Sequence, residues 1–282
     1  MPRHRTIGAV GLAVLLATSV SPSVIAQLPF NSPKAAGQSV SPAYEGWYRN
    51  PDGTFTLSFG YYSRNATEVV EIPIGKDNFI SPGPPNQGQP SEFQPRRHWG
   101  VFGVRVPADF AKKEVVWTLT FRDQTYAIPG SLHPNWQIDA LEGEAGAGNT
   151  PPALKFAENG AEGRGPLGVT AGPQPATAGT PVALTVWGRD DGKGATSVAS
   201  AGRGTPAPVN IAWFKHQGPG KVTFQPATGR IAAAGGQVTA QATFSVAGDY
   251  IIRVRANDSS VAGAGHAQCC WTNGFLKVTV AK

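Results

Sequence analysis

The sequence predicts an all-β protein with two tandem antiparallel β-sandwich domains. Short runs in which apolar and polar residues alternate recur along the chain, and this period of two is typical of half-buried strands. The 35 glycines and 25 prolines predict many turns and little long helix.

The first 26 residues have the pattern of a secretory signal peptide. Arg3 and Arg5 provide a basic start, residues 7–20 are almost entirely apolar or small, and Val24-Ile25-Ala26 offers small side chains for processing. The apolar run is shorter than the roughly 20 residues that a membrane-spanning helix needs. We therefore expect a bacterial, periplasmic or secreted protein without a membrane span once the signal peptide is removed.

The remaining chain is long enough for two domains of about 100 to 200 residues each. A Gly/Pro-rich stretch that opens with Glu142-Gly143-Glu144 reads as a linker, and Ala153-Leu154-Lys155-Phe156 inside it is a candidate first edge strand for the next domain. The predicted order is a signal peptide at 1–26, an extension at 27–40, a β-sandwich at 41–140, a linker at 141–180 and a second β-sandwich at 181–282.

Strands of the first domain follow from alternating apolar residues. Phe55, Leu57 and Phe59 alternate with polar residues, and further strands are expected at 101–106, 115–121 and 125–128. Between them, residues 75–98 contain five prolines and three glycines, which predicts no regular structure. A loop this long greatly exceeds the usual ~4 to 6 residues, so it is either functional or mobile.

The second domain has the clearest strand pattern. Residues 238–246 alternate strictly, Gly248-Asp249 turns the chain, and residues 250–256 alternate again. Three further strands are expected around residues 182–186, around Ile211 and Trp213, and from Phe275 to the end. This spacing of strands and turns predicts an antiparallel sandwich.

Two residues of this domain carry a resemblance to a known fold family. Trp213 matches the buried tryptophan of the third strand of immunoglobulin-like domains, and Gly248-Asp249-Tyr250 matches their corner tyrosine. The C-terminal domain therefore resembles the immunoglobulin-like superfamily and its bacterial surface-protein relatives. Where antibody domains carry a disulfide, this chain has Ile252 facing Leu184 or Val186. The resemblance implies a fold, with Trp213 and Tyr250 as structural residues, and no particular activity.

Three further segments resemble a set of secreted bacterial proteins of unknown role, which have a C-terminal domain of this immunoglobulin-like or PKD type. The similar segments are residues 44–55, with the sequence Tyr-Glu-Gly-Trp-Tyr-Arg-Asn-Pro-Asp-Gly-Thr-Phe, residues 256–260 and residues 268–273. This resemblance extends over most of the mature chain. It implies no catalytic residue.

Charge and motifs exclude several classes of function. The net charge is +6, but the basic residues are scattered, so nucleic-acid binding is not expected. The sequence contains no Gly-x-Ser-x-Gly elbow, glycine-rich phosphate loop or Cys-x-x-Cys pair. We therefore predict no cofactor and no enzymatic activity.

Cys269 and Cys270, the chain's only cysteines, are its most unusual feature. A disulfide between neighbours is strained, because adjacent Cα atoms lie ~3.8 Å apart and ordinary disulfides need about 4.4 to 6.8 Å. Three alternatives remain open: a strained disulfide, two buried thiols, or a soft-metal site with His266. The pair lies in a long loop predicted at 258–274, at one end of the sandwich. Trp271 and Asn273 complete this candidate recognition surface.

Other candidate sites each have a simpler explanation. Arg96-Arg97-His98 offers an anion site, or a solvated basic patch. Asp190, Asp191 and Asp258 are weak calcium-ligand candidates, and an Asp-Asp-Gly turn is the commoner explanation for the first two. A set of aromatic residues offers a sugar-stacking platform, or strand residues that fill a core, namely Trp47, Tyr48, Tyr61, Tyr62 and Trp99.

These observations predict an exported, non-catalytic binding or accessory protein of the bacterial envelope or exterior. Recognition would use loops at the ends of the sandwiches, and the partner would be an envelope protein or a polysaccharide, the latter making the chain a carbohydrate-binding module. The competing hypothesis is a redox or metal-handling accessory factor, or an enzyme subunit, that uses the Cys269-Cys270 loop.

Overall fold

The computed structural model describes residues 34–142, 148–193, 208–258 and 269–282. Among these residues every regular element is a strand, apart from a single 3-10 turn at Pro134–Trp136. The predicted fold class, two tandem β-sandwiches of which the second is immunoglobulin-like, is confirmed. The predicted signal peptide at 1–26 lies outside the described residues.

Eight strands build the first sandwich. β1, β2 and β6 form one antiparallel sheet, β4, β7 and β8 form the opposing one, and β3 pairs with β5 alone. Their bounds are β1 Val40–Arg49, β2 Phe55–Ser63, β3 Val70–Glu71, β4 Asn78–Ser81, β5 Glu92–Phe93, β6 Arg96–Val106, β7 Glu114–Phe121 and β8 Gln124–Ser131.

Aromatic rings fill the space between these sheets. The ring centroid of Phe102 lies 5.4 Å from that of Phe59 and 5.1 Å from that of Trp117, and all three side chains are buried. The indole Nε1 of Trp117 donates to Oδ1 of Asn78 over 3.0 Å, which satisfies its buried polar group. The alternation of residues 55–59 therefore marks the inner face of β2.

The prediction that residues 75–98 lack regular structure is wrong. This segment contains β4 and β5, and β6 begins in it at Arg96. Its five prolines all fall between these strands, so no ladder hydrogen bond is lost to a proline. β4 pairs with β7, and the backbone N–H of Ile80 donates to the carbonyl of Pro85 over 3.0 Å, which folds the proline-rich turn back onto its own strand.

Nine strands build the second sandwich. A five-stranded sheet has the order β10-β17-β16-β12-β14, and a four-stranded sheet has the order β13-β15-β11-β9. Their bounds are β9 Ala153–Lys155, β10 Val169–Thr177, β11 Val182–Arg189, β12 Val209–Gln217, β13 Val222–Gln225, β14 Thr228–Ile231, β15 Gly236–Phe244, β16 Gly248–Asn257 and β17 Trp271–Ala281.

Two of these strands come from the Gly/Pro-rich range 141–180. β9 and β10 both lie at a sheet edge, where missing N–H groups are tolerated, and this position accommodates Pro173 and Pro175 within β10. β10 runs parallel to β17, whereas the other paired strands of the described chain are antiparallel. The second sandwich is thus antiparallel except at this edge.

The core of the second sandwich contains the residues that carry the immunoglobulin-like resemblance. Trp213 is buried on β12 and Tyr250 on β16. The Tyr250 hydroxyl donates to the carbonyl of Val246 over 2.9 Å, which ties the start of β16 to the preceding turn. Ile252 and Leu184 are fully buried in the same cluster, so apolar packing joins the two sheets.

Candidate functional site

The outer face of the five-stranded sheet is covered in part by the first sandwich, and its β14 side stays exposed. Because side chains alternate along β12, β16 and β17, every second residue points away from the core that Ile252 and Leu276 help to fill. On this outer face we find aromatic, basic and amide side chains instead of short polar ones, namely Phe214, His216, Arg253, Arg255, Trp271, Asn273 and Phe275. We call this face the junction.

Trp271 and Asn273 connect the two sandwiches directly. The indole Nε1 of Trp271 donates to the carbonyl of Gly100 on β6 over 3.2 Å. The amide Nδ2 of Asn273 donates to the same carbonyl over 2.7 Å and to the carbonyl of Pro166 over 2.8 Å. Both side chains are buried away from water, so their N–H groups depend on these backbone carbonyls for hydrogen bonds.

Thr272 connects β17 to the linker through two hydrogen bonds. Its hydroxyl donates to the carbonyl of Pro152 and accepts from the backbone N–H of Gly165 over 3.0 Å. β17 begins at Trp271, four residues before the strand start expected at Phe275. The segment predicted as an open loop is therefore, from Trp271 onward, a buried strand at the junction.

The close approach of the Trp271 indole requires a glycine at position 100. Its φ of +44° is in the left-handed region, and an added Cβ would overlap the ring of Trp271. No signal in the sequence marked this glycine, because its partner lies 171 residues further along the chain.

The two cysteines lie immediately before β17. Their sulfur atoms are joined in a disulfide across a cis peptide bond, and the two residues are only 2% and 1% exposed. The backbone N–H of Asp258 donates to the carbonyl of Cys270. His266, the third candidate ligand of the soft-metal hypothesis, lies outside the described residues.

The three candidate calcium ligands all accept hydrogen bonds from the protein, although Oδ1 of Asp190 is buried with no partner among the described residues. Oδ2 of Asp191 accepts from the backbone and the hydroxyl of Thr150, both over 3.0 Å, and Oδ2 of Asp258 accepts from Asn149 over 2.8 Å. Burial, together with the nearby charges of Asp191 and Asp258, raises the pKa of Asp190 to about 6, although the hydrogen bond from the backbone N–H of Gly192 opposes this shift. In the part of the chain that the structure describes, no group of three or more His, Cys, Asp or Glu is placed to hold a metal ion.

The three residues 96 to 98 do not form one patch. Arg96 is exposed, whereas Arg97 pairs with Glu45 over 2.7 Å and lies 3.8 Å above the ring of Trp99. His98 lies in the junction, where it stacks on Tyr61 with ring centroids 5.0 Å apart. Alternation along β6 directs Arg97 away from its two neighbours, and Arg96 and His98 contact different rings, those of Tyr62 and Tyr61. The structure therefore does not bring the three side chains together.

Two arginines and a phenylalanine of the junction were missed by the sequence analysis. The guanidinium groups of Arg253 and Arg255 lie 4.6 Å and 5.8 Å from the ring centroid of Phe214. Burial lowers the pKa of Arg253 to about 10. Burial and these two arginines together lower the pKa of His98 to about 3, which keeps its ring neutral. The alternation in residues 250–256 directs both arginines away from the core. This pattern is the sequence signal from which their position on the outer face could have been predicted.

The proline-rich segment of the first sandwich packs onto the second. The backbone N–H of Ser91 donates to the carbonyl of His216 over 2.8 Å, and Nε2 of Gln217 donates to the carbonyl of Gln89 over 2.6 Å. The His216 ring lies 2.7 Å from the carbonyl oxygen of Gly88. The segment proposed as either functional or mobile is thus ordered by contacts with β12.

An ion-pair group centred on a buried lysine reinforces this contact. Nζ of Lys215 lies 2.6 Å from a carboxylate oxygen of Glu71 and 3.0 Å from one of Glu92, and its side chain is only 1% exposed. Burial alone would lower the pKa of Lys215, but its bonds to the two carboxylates outweigh this effect and raise it. The ammonium group therefore stays charged between the two sandwiches.

A cleft lies where the first sandwich meets the linker. Its volume is about 690 Å³, which is within the range of ligand sites. The turn between β1 and β2 forms one side and residues 162–168 form another. It is lined by Tyr48, Asn50, Pro51, Asp52, Arg105, Leu141, Glu142, Thr150, Glu162, Gly163, Arg164, Leu167 and Gly168.

The aromatic residues proposed as a sugar platform are divided between different places. Tyr61 is buried in the first core, and Tyr48 is buried with its hydroxyl accepting from the backbone N–H of Leu167 at the cleft. Trp47 donates from Nε1 to the carbonyl of His133 over 2.9 Å. They therefore do not share one exposed surface.

Comparisons with known proteins identify no family. No protein-family model and no curated protein matches the sequence. Solved structures that match include the S-layer protein rSbsC (11% identity, TM-score 0.24), the D00-D0 domain of intimin (10%, 0.27) and the D0-D1 domain of intimin (11%, 0.26). They cover 88%, 86% and 86% of this chain, which in turn spans 28%, 100% and 97% of theirs.

These TM-scores are low, and the fold assignment rests on the strand order and register described above. Among the described residues, no helix has the length and apolar character needed to cross a membrane.

Proposed function

We propose that the protein is an exported, non-catalytic binding or accessory module of the bacterial envelope or exterior, and that its ligand binds in the 690 Å³ cleft. The cleft combines a turn at the end of the first sandwich with the linker. Loops and turns held by a rigid scaffold are the usual place for recognition. The ligand would be an envelope polysaccharide or a segment of an envelope protein.

The chemistry of the lining is the observation that carries this proposal. Apolar surface from Pro51, Leu141 and Leu167 is combined with a few charged groups, as in most ligand sites. Three of the charged groups form ion pairs, Asp52 with Arg105 over 3.1 Å and Glu162 with Arg189, which lies outside the lining, over 2.7 Å. Arg164 donates instead to the hydroxyl of Thr150 and the carbonyl of Pro151.

The competing redox or metal-handling hypothesis needs a partner that reaches the sulfur atoms of Cys269 or Cys270. Their burial favours a structural role for the pair. Thiol counting on purified, unreduced protein tests this directly: we expect no free thiol, and two free thiols would contradict the disulfide. Metal analysis of the same sample tests the soft-metal alternative.

Binding at the cleft is tested with a glycan array and with affinity capture from an envelope extract, using the mature chain. The informative variant is Arg105→Glu, because its side chain is exposed and its ion pair with Asp52 lies at the rim. Arg122→Glu is the matched control, since Arg122 also forms an exposed ion pair, with Glu68 over 3.2 Å, away from the cleft. We expect retained material to fall at least tenfold for Arg105→Glu and to stay unchanged for Arg122→Glu. Equal retention by both variants would contradict binding in the cleft.

Export is a separate part of the proposal. It predicts a mature protein that begins at Gln27 and fractionates with the periplasm or the medium. N-terminal sequencing of the protein recovered from each fraction tests it, and an intact Met1 on cytoplasmic protein would contradict it. Limited proteolysis of the mature chain tests the proposed domain division, with first cleavage expected between residues 141 and 180.

A further inference from the structure

We propose that a groove on the second sandwich, separate from the cleft, binds the carboxylate of an acidic sugar in a uronate-containing polysaccharide. The groove has a volume of about 380 Å³ and lies across β14, β12 and β16, beside the junction. The residues that matter for recognition are Asn210, Ala212, Thr228, Arg230, Arg255 and Asn257.

Strand register explains why these side chains converge. Asn210 on the central strand is paired with Arg230 on one side and with Asn257 on the other. Ala212, two residues further, is paired with Thr228 and with Arg255. Residues two apart share a face, so two polar rows run side by side over the sheet. The small Ala212 side chain forms the floor between them.

The charge of the groove is unbalanced. No carboxylate among the described residues lies within ion-pair distance of Arg230, Arg253 or Arg255. Arg255 is partly buried, and its Nε is buried with no hydrogen-bond partner in the described chain. A buried cation without a partner is unfavourable, and an anion at the groove would supply one.

The protein offers only partial compensation for these charges. Arg253 and Arg255 both lie near the one ring of Phe214, so a single aromatic face serves two cations. Arg253 also donates to Oδ1 of Asn273 over 3.1 Å, but Arg255 makes no comparable bond to a described residue. Arg255 therefore has donors to spare, and it is the arginine that lines the groove.

The surrounding groups favour an acidic sugar over a bare anion or an acidic peptide. A guanidinium group binds a carboxylate through two parallel hydrogen bonds. Asn210 and Thr228 add an amide and a hydroxyl group that both donate and accept, which suits the hydroxyls of a sugar ring. The groove is also open, as a polymer that continues beyond one residue requires. A free carboxylate or a glutamate side chain would leave these neutral groups unused.

The test is calorimetric titration of the mature chain with oligosaccharides of galacturonic, glucuronic and mannuronic acid. Methyl-esterified galacturonate oligosaccharides serve as the uncharged control, and polyglutamate serves as the acidic-peptide control. We expect at least one uronate series to bind, to weaken with added salt, and to bind at least tenfold more tightly than the esterified form or polyglutamate. Absence of binding by all three series, or equal binding of the esterified form or of polyglutamate, would overturn the proposal.

Variants assign the binding to the groove. Arg230→Ala removes an exposed side chain on an edge strand, so the fold should tolerate it, and Ala212→Leu fills the floor of the groove. We expect at least tenfold weaker binding for each, and no change for Lys221→Ala, an exposed cation outside the groove. Only variants whose melting temperature equals that of the parent protein are compared, so that a loss of binding does not reflect a loss of folding. Unaltered uronate affinity in Arg230→Ala would overturn the assignment. Arg105→Glu should bind uronates normally, so failure here and failure of the cleft proposal are distinguishable.

Discussion

Replacing Trp271 with alanine tests whether the junction stabilises the protein. The indole is 1% exposed, packs against Gly100 and donates a hydrogen bond to the Gly100 carbonyl over 3.2 Å. Removing a buried aromatic side chain of this size costs about 3 to 5 kcal/mol. Of this, the hydrogen bond accounts for about 0.5 to 1.5 kcal/mol.

The loss is measured as the free energy of unfolding in urea, followed by far-ultraviolet circular dichroism on the mature chain. For a chain of about 150 to 250 residues, 1 kcal/mol corresponds to about 2 to 4 °C, so we expect the melting temperature to fall by about 6 to 20 °C. Trp271→Phe keeps most of the ring and loses the hydrogen bond, so it should be milder than Trp271→Ala.

Trp136 provides the matched control. It is 50% exposed, and its ring contact is with Tyr44, at a centroid distance of 5.7 Å. Trp136→Ala should therefore cost less than about 1.5 kcal/mol. If Trp271→Ala is no more destabilising than Trp136→Ala, then the contacts between the sandwiches do not contribute to stability as we argue.

Three further predictions concern other parts of the junction. Burial is the first cause that lowers the pKa of His98 and of His216 to about 3, so below pH 6.5 the unfolded chain takes up protons that the folded chain does not. Each histidine should therefore lower stability by up to about 1.4 kcal/mol per pH unit as the pH drops from 6.5 toward 3, whereas Glu45 and Asp190, whose pKa values burial raises to about 7 and about 6, act in the opposite direction. The histidine contribution is isolated by comparison with His216→Gln, and an identical change in urea midpoint between pH 7.5 and 5 for this variant and the parent would contradict it. Gly168→Ala should lower the melting temperature more than Gly179→Ala, because both have positive φ but only a Cβ at 168 would overlap the backbone of β17; equal shifts would argue against that packing. Lys215→Ala leaves Glu92 largely buried without its cation, whereas Glu71 is 46% exposed and keeps its solvation, so we expect a loss of about 1 to 3 kcal/mol in urea unfolding, and no measurable loss would show that the ion-pair group is dispensable.

Local alternation was sufficient to find most strands of both sandwiches. The strand at 250–256 was predicted with its inward residues, and Tyr250 and Ile252 are buried in the second core. Side-chain direction along a strand depends only on neighbouring residues, so it can be read from a short window. The same pattern placed Arg253 and Arg255 on the opposite face.

Proline content was the less reliable signal. Residues 75–98 were expected to lack regular structure, yet they contain β4 and β5, because the prolines fall in the turns between strands. β10 itself contains prolines, and they are tolerated because β10 is an edge strand with β17 on one side only. Whether a proline prevents a strand depends on whether its missing N–H faces a partner, and a composition count does not contain that information.

The cysteine-containing segment shows where sequence reasoning about the site ended. Trp271 and Asn273 were singled out as a candidate recognition surface on a loop. In the structure they are buried on β17 and donate to Gly100, about 170 residues earlier in the chain. The unusual sequence marked the segment, but only its partners show what it contacts.

The sequence by itself determined the all-β class, the division into two sandwiches and the inward face of the main strands, because those features depend on the period of apolar residues over a few positions. Only the tertiary structure decided that the outward face of β16 and β17 is covered by the first sandwich, and that Arg253 and Arg255 lie there without a carboxylate among the described residues. Contact between two faces depends on sheet register and docking across more than a hundred residues, which local periodicity does not encode.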